Sequence, residues 1–259
     1  MSMESKRASC FLPAHVAVFL ISVVTVNLCV RTAQPSATPP SAPTPVSDPA
    51  IAIAHGNRWL PQVALTFDDG PGQYTPQILA ILRRYGVRAT FFSIGENIAR
   101  FPAYLHQGLA DQNALENHTF THPHLTTLPF ASIYRELSAT QSAVLKETGT
   151  SPTVFRPPYG EYNADVLRAA SQLGLSVVTW DADAQDWISP QPSAAMIAAR
   201  ILNAASNGAI FLLHEGGGNR ANTVAALPAI ISGLLARGLA LVTLPQMLAG
   251  LNPAGAQGR

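Results

Sequence analysis

The sequence predicts an α/β fold, a distorted or incomplete (β/α) barrel of about seven parallel strands lying between residues 59 and 252. Three observations predict it. From residue 60 onward, short apolar runs alternate with helical patterns, an order that demands parallel strands joined by crossover helices. Five helices end on glycine (Gly86, Gly149, Gly174, Gly208 and Gly238), the residue a left-handed cap favours. Nearly every unusual polar cluster falls directly after a predicted strand, and a parallel barrel gathers those loops on one face. Seven units in roughly 190 residues fall short of a full eight-unit barrel. A doubly wound open sheet is the alternative, and the chain carries no Gly-rich dinucleotide turn to support it.

The elements follow in order. Residues 63–67 form a short apolar strand, and Thr75 caps a helix with Pro76 at its first position, running to Tyr85. A strand over 89–94, a helix over 98–110 and a strand over 114–117 come next. A helix over 132–148 precedes a strand at 154–155, and Asn163 caps a helix to Leu173. A strand over 175–180, a helix over 193–206, a strand over 209–213, a helix over 222–237 and a strand over 239–243 complete the series, with a short helix after it. No internal repeat is visible.

Before the barrel, Lys6 and Arg7 precede an apolar run over residues 11–30, the pattern of a signal peptide or a membrane anchor. Residues 1–33 are read as that segment, and either form puts the rest of the chain outside the cytoplasm, secreted or held at a membrane. Residues 34–58 read as a Pro/Ser/Thr/Ala-rich linker, too poor in apolar side chains over 34–49 to build a core. Residues 253–259 are a tail. The net charge of +1 points away from nucleic acid, and 47% hydrophobic against 12% charged residues excludes a disordered chain. The two cysteines, Cys10 and Cys29, lie in or beside the apolar run, so a metal site in the folded part must use histidine and carboxylate. A monomer is expected.

The polar clusters carry specific chemistry. His118 and His122 stand four apart, a spacing that on a helical turn points both rings at one ion, and neutral imidazole suits zinc or another first-row metal. His124 is a nearby decoy. A third ligand must come from elsewhere. Asp68 and Asp69 are adjacent, so in extended backbone their side chains point opposite ways, one toward a metal and one toward a water. His214 closes an apolar strand, and Asp183 to Trp187 add acids and an aromatic ring after another. Amide hydrolysis needs an activated water, a stabilised oxyanion and a proton for the departing amine, which such a set can supply.

Five ordered motifs resemble those of the polysaccharide deacetylase family, also called carbohydrate esterase family 4 or NodB-like. They are Thr66-Phe67-Asp68-Asp69-Gly70, His118-Thr119-Phe120-Thr121-His122, Arg156-Pro157-Pro158-Tyr159-Gly160, Asp183-Ala184-Gln185-Asp186-Trp187 and Leu212-Leu213-His214. The resemblance covers about residues 60 to 245. It implies metal-dependent removal of N-acetyl groups from a GlcNAc-containing polysaccharide such as peptidoglycan or a chitin-like glycan. It implies that Asp69, His118 and His122 hold a divalent metal, zinc first, with cobalt or another first-row ion possible. It further implies Asp68 as general base, Arg156 as its partner, His214 as general acid and Asp186 as the residue that tunes His214. The Tyr159 backbone N–H would serve the oxyanion, and Trp187 and Leu212 would wall the acetyl pocket.

The chain departs from the family pattern before His118, where Gln112 and Glu116 stand in place of the usual glycines, and after His214, where Glu215 replaces the usual Asp. Residues 216–220 then read as a flexible loop beside the acid. Three other functions compete: an O-acetyl xylan esterase on the same metal site, a catalytically silent glycan-binding wall protein, and a retaining glycosidase that would leave the histidine pair without a task.

Overall fold

The computed structural model describes residues 51–249 and 251. The apolar segment, most of the linker and the tail lie outside the described residues. Among the described residues, no helix is long and apolar enough to cross a membrane.

The element order is β1 (Gln62–Gly70), α1 (Thr75–Tyr85), β2 (Thr90–Ser93), α2 (Gly95–Arg100), α3 (Pro102–Ala110) and β3 (Ala114–Asn117). Next come α4 (Phe130–Thr148), β4 (Val154–Phe155), α5 (Ala164–Gln172), β5 (Ser176–Val177) and β6 (Ala182–Asp183). The series closes with α6 (Ala194–Ala204), β7 (Ile210–His214), α7 (Ala221–Leu235), β8 (Ala240–Leu241) and α8 (Leu244–Ala249). Every strand pair is parallel, and the strands run in the order β5-β4-β3-β2-β1-β7-β6, with β8 paired to the start of β1. Neighbours in space are thus neighbours in sequence, as in a barrel; a doubly wound sheet would reverse its order at a switch point.

The predicted strand over 175–180 is cut short. Ser176 and Val177 pair with β4, Val178 bridges Ile53, and pairing with β7 starts only at Ala182, so residues 178–181 carry the chain from one end of the sheet path to the other. The ring closes through the chain itself, and this is the distortion that leaves seven strand positions. The predicted helix over 98–110 is two helices. Pro102 forces Phe101 out of helical geometry (φ −137°, ψ 49°), because the ring of a proline crowds the residue before it. Thr75 is the first residue of α1, not its cap; its hydroxyl accepts from the Gly72 N–H and donates to Glu215. Asn163 does cap α5, accepting from the Val166 N–H at 3.0 Å.

Alternation along each strand sorts side chains between the two faces. Val63, Leu65 and Phe67 of β1 pack outward with Phe211 and Leu213 of β7 against helix residues Ile78, Ile197, Ile201, Ile230 and Leu234. Ala64 and Ile210 point inward, with Phe92, Val154 and Val178, where Leu244 and Met247 of α8 fill the lower interior. Burying 34 Val, Leu, Ile, Phe and Met side chains, at about 1.5–3 kcal/mol each, dominates the stability of the domain. The same period places Thr66 and Asp68 on the inner face of β1, and Leu212 and His214 on that of β7. The barrel interior therefore passes from apolar at one end to polar at the other, where the strands terminate.

Gln112 occupies the left-handed region (φ 61°) at the turn into β3, where the family usually has glycine, and its side chain is exposed. An L-residue there is strained by about 1–2 kcal/mol, partly offset by the chain entropy that glycine loses on folding. Gln112→Gly is therefore expected to stabilise the domain by roughly 0.5–1 kcal/mol, read as a higher denaturant midpoint at unchanged slope. A lower midpoint would show that the strain is relieved elsewhere.

Candidate active site

The ends of β1, β3, β4, β6 and β7 surround a cleft of about 350 Å³. Asp68 and Asp69 both face it, contrary to the opposite orientations expected for extended backbone. Asp69 has φ 69°, and the β1–β2 register shifts between Phe67 and Gly70. This bulge turns both carboxylates to one side. Gly216 and Gly217 make it possible: a Cβ on Gly216 would lie 2.0 Å from the Asp69 carbonyl oxygen, and one on Gly217 would lie 2.4 Å from Asp69 Oδ2.

His118 and His122 also meet, but on a loop, not on a helical turn. Thr119 (φ 66°) and His122 (φ 59°) both adopt left-handed backbone. The Asn117 side chain accepts from the Thr119 N–H at 2.9 Å, and Thr119 Oγ1 accepts from the His122 N–H at 3.1 Å. Glu136 of α4 accepts from the N–H groups of Phe120 and Thr121 at 2.9 and 2.8 Å. Glu136 and Thr119 are supports that sequence reading missed, since one lies on a distant helix and the other reads as a loop hydroxyl.

Asp69 Oδ1 lies 3.5 Å from His118 Nε2 and 3.3 Å from His122 Nε2. The three ligand atoms all lie within 4.8 Å of one another. A tetrahedral ion with bonds of about 2.0–2.1 Å sets its ligand atoms roughly 3.3–3.4 Å apart, so the residues fit one ion. His118 Nδ1 lies 2.7 Å from the Arg156 carbonyl oxygen, which only accepts; Nδ1 therefore carries the proton and Nε2 keeps its lone pair for the metal. Burial and the neighbouring His118 lower the pKa of His122, against the pull of Asp69 and Asp68, which favours the neutral ligand form. Burial raises the pKa of Asp69, but the hydrogen bond and charge of His118, with His214 and His122, outweigh it and hold Asp69 far below the usual carboxylate range. His124 is exposed, stacks on Tyr159 with ring centres 4.0 Å apart and pairs with Glu161, so it is no part of the triad.

Asp68 is buried, and its Oδ1 accepts from Arg156 Nη1 at 2.7 Å, while its Oδ2 lies 3.7 Å from His118 Nε2. Arg156 is fully buried and also donates to Thr66 Oγ1 (2.6 Å) and the Thr179 carbonyl (3.0 Å). Burial lowers the pKa of this guanidinium, and Asp68 pulls it back up.

Next to Asp68 in the β1–β7 ladder stands His214. Its Nδ1 lies 2.7 Å from Asp186 Oδ1, and its backbone N–H donates to Asp186 Oδ2 at 2.9 Å. Thr223 of α7 adds a third hydrogen bond to that carboxylate at 2.8 Å, another support not found in the sequence. Burial lowers the pKa of His214, but Asp186, followed by Asp68 and Asp69, raises it above its ordinary value. Burial raises that of Asp186, and its bonds to His214 lower it overall. Leu212, Trp187 and Tyr159 line the same cleft; Trp187 is half exposed and donates from Nε1 to Asp183 at 3.2 Å. Trp180 and Arg220 line it too, and neither was singled out from sequence.

A (β/α) barrel thus gathers at its strand ends a carboxylate–imidazole triad that could hold a metal ion and a hydrogen-bonded His–Asp pair. The chain belongs to the polysaccharide deacetylase family, whose family model matches residues 57–178. That span holds Asp68, Asp69, His118, His122, Arg156 and Tyr159, whereas Asp186 and His214 lie beyond it. A chitooligosaccharide deacetylase of Rhizobium leguminosarum bv. trifolii is 38% identical over 196 residues, covering 71% of this chain and 90% of that protein. A bifunctional xylanase/xylan deacetylase of Cellvibrio japonicus is 39% identical over 185 residues, 71% of this chain; the chain spans 27% of that protein's length. The crystal structure of the Bc1960 peptidoglycan N-acetylglucosamine deacetylase superposes with a TM-score of 0.73 at 34% identity, covering 76% of this chain and 92% of that one.

Glu116, where the family usually carries glycine, is turned away from the triad. Its Oε2 accepts from the N–H groups of Thr153 (2.8 Å) and Val154 (2.7 Å). Burial pushes its pKa up to about 7, against the lowering effect of those bonds. The folded state therefore keeps a proton that the unfolded chain releases, and stability falls as pH rises from about 4.5 to about 7. Glu116→Gln keeps an oxygen for both amides and removes this loss. The variant is expected to gain on wild type by about 1–3 kcal/mol across that window, measured as the difference between denaturation curves at pH 5 and pH 8. Parallel pH profiles would show that Glu116 is ionised at no cost.

Proposed function

We propose that this chain hydrolyses N-acetyl groups of a GlcNAc-containing polysaccharide, peptidoglycan or a chitin-like glycan, with zinc held by Asp69, His118 and His122. The observation that carries the reading is the convergence of that triad and the His214–Asp186 pair on one cleft, in a family whose relatives are named for deacetylation. A divalent ion held by these three residues would supply a Lewis acid for the carbonyl and make water more acidic. Asp68, oriented by Arg156, takes the proton of the attacking water. The backbone N–H of Tyr159 hydrogen-bonds the oxygen on which negative charge develops. His214 gives its Nε2 proton to the departing amine nitrogen, while Asp186 fixes the tautomer and stabilises the protonated ring. Leu212 and Trp187 flank the acetyl methyl. The basic-then-apolar pattern of residues 1–33 supports action outside the cytoplasm, on a wall or extracellular glycan.

A second reading, O-acetyl esterase on acetylated xylan, is favoured by the name of the Cellvibrio relative. Acetate release from chitin oligomers, peptidoglycan and acetylxylan separates the two: turnover of N-acetyl substrates is expected, and release from acetylxylan alone would replace the first reading with the second. Asp69→Ala, His118→Ala or His122→Ala should lose bound metal and activity together, and zinc or cobalt should restore chelator-treated protein. Asp68→Asn should keep its metal and lose about 10²–10⁴-fold in kcat. Full turnover by Asp68→Asn would remove its base role.

A further inference from the structure

Arg220 is buried, and among the described residues each hydrogen bond of its side chain goes to a backbone carbonyl. Nε donates to Gly216 O (2.7 Å) and Nη2 to Gly217 O (3.2 Å), in the loop that leaves β7 directly after His214 and Glu215. Nη1 donates to the carbonyl of Asp186 itself at 3.0 Å. One cation thus grips the backbone on both sides of the His214–Asp186 hydrogen bond, joining segments 28 residues apart in sequence.

The need for such a grip follows from the loop's composition. Residues 216 and 217 must be glycine because Asp69 occupies the space a Cβ would take. Three consecutive glycines have the widest backbone freedom of any tripeptide, and Gly217 (φ 68°) and Gly218 (φ 143°) use it. Left alone, such a segment would let the end of β7 shift against the Asp186 loop. A buried charge is costly to desolvate and persists where fixed dipoles satisfy it, and here the carbonyls of Gly216, Gly217, Asp186 and Asn219 do so. The loop that reads as flexible in sequence is thereby tied down.

We propose that Arg220 is a positioning residue for proton delivery: it holds the backbones of His214 and Asp186 in register, so that His214 presents its proton to the leaving group. The kinetic readout rests on the deacetylase reading; the exchange readout below does not.

Arg220→Gln and Arg220→Lys test it, the lysine guarding against loss of fold. On an N-acetylglucosamine oligomer, kcat is expected to fall about 10–100-fold in Arg220→Gln and less in Arg220→Lys, with KM and bound metal unchanged. On 4-nitrophenyl acetate, whose leaving group needs no proton, the loss should stay below about threefold. Equal losses on both substrates would mean general damage to the site and overturn the proposal. Independently, the His214 backbone N–H, which donates to Asp186, should exchange with deuterium faster in both variants, while the His118 N–H, bonded to Ser93 O, should not. Unchanged His214 protection would also overturn it. If wild-type protein releases no acetate, the deacetylase reading fails, and the exchange measurement alone decides the role of Arg220.

Discussion

The guanidinium of Arg156 is the contact on which the polar end of the barrel depends. It rises from the end of β4 into the interior and donates to Thr66 and Asp68 of β1 and to the carbonyl of Thr179 in the segment that closes the ring. Its planar face lies over Phe92 of β2 at 4.3 Å and faces Trp180 at 5.7 Å. Its own carbonyl sets the tautomer of His118. One residue therefore bridges β1, β2, β4 and the closing segment, and fixes both a candidate base and a candidate ligand. Nε has no hydrogen-bond partner among the described residues, so the aromatic face carries part of the desolvation cost. A buried pair of this kind stabilises little in net terms, yet either half alone would be an uncompensated charge. Its value is geometric: it specifies where the Asp68 oxygens lie.

Around that fixed point the electrostatics divide the cleft. On one side Asp69 is held far below its usual pKa and His122 below its own, so both stand ready as deprotonated ligands. On the other side Asp186 raises His214 above its ordinary value against the effect of burial, which favours the protonated ring. Groups whose environments push their titrations apart can do base and acid work at one pH. The separation comes from placement: the triad histidines sit beside each other and Asp69, whereas His214 has a buried carboxylate of its own.

Much of this was legible in the sequence, for reasons that can be named. The short apolar runs at 63–67 and 209–213 marked two neighbouring strands, and Gly86 and Gly149 do cap their helices in left-handed backbone, whereas α6 ends at Ala204, four residues before Gly208. The placement of polar clusters after strands located the cleft. What was not legible depended on contacts remote in sequence. The left-handed turn at Asp69 needs Gly216 and Gly217 against it, and the histidine loop needs Glu136 of α4; neither leaves a local signature. A four-residue histidine spacing suggested a helical turn because helices are the commonest way to bring such residues together, yet two left-handed residues do it here. The predicted 175–180 strand stops early because only Ser176 and Val177 find β4, while Val178 bridges Ile53 and pairing with β7 begins at Ala182, which no local pattern encodes.

Glu116 shows how alternation along a strand absorbs a departure from the family pattern. Residues 116 and 118 share the inner face, so a carboxylate at 116 enters the barrel interior two residues below a candidate ligand. It is accommodated because β3 and β4 pair through Asn117 and Phe155 alone, leaving the N–H groups of Thr153 and Val154 without a strand partner. The carboxylate oxygen takes the place of the missing ladder carbonyls. Bound there, it is anchored at the lower layer and cannot reach up to compete with Asp69 for an ion. Its cost is borne as a raised pKa, in stability, and not at the candidate metal layer above it.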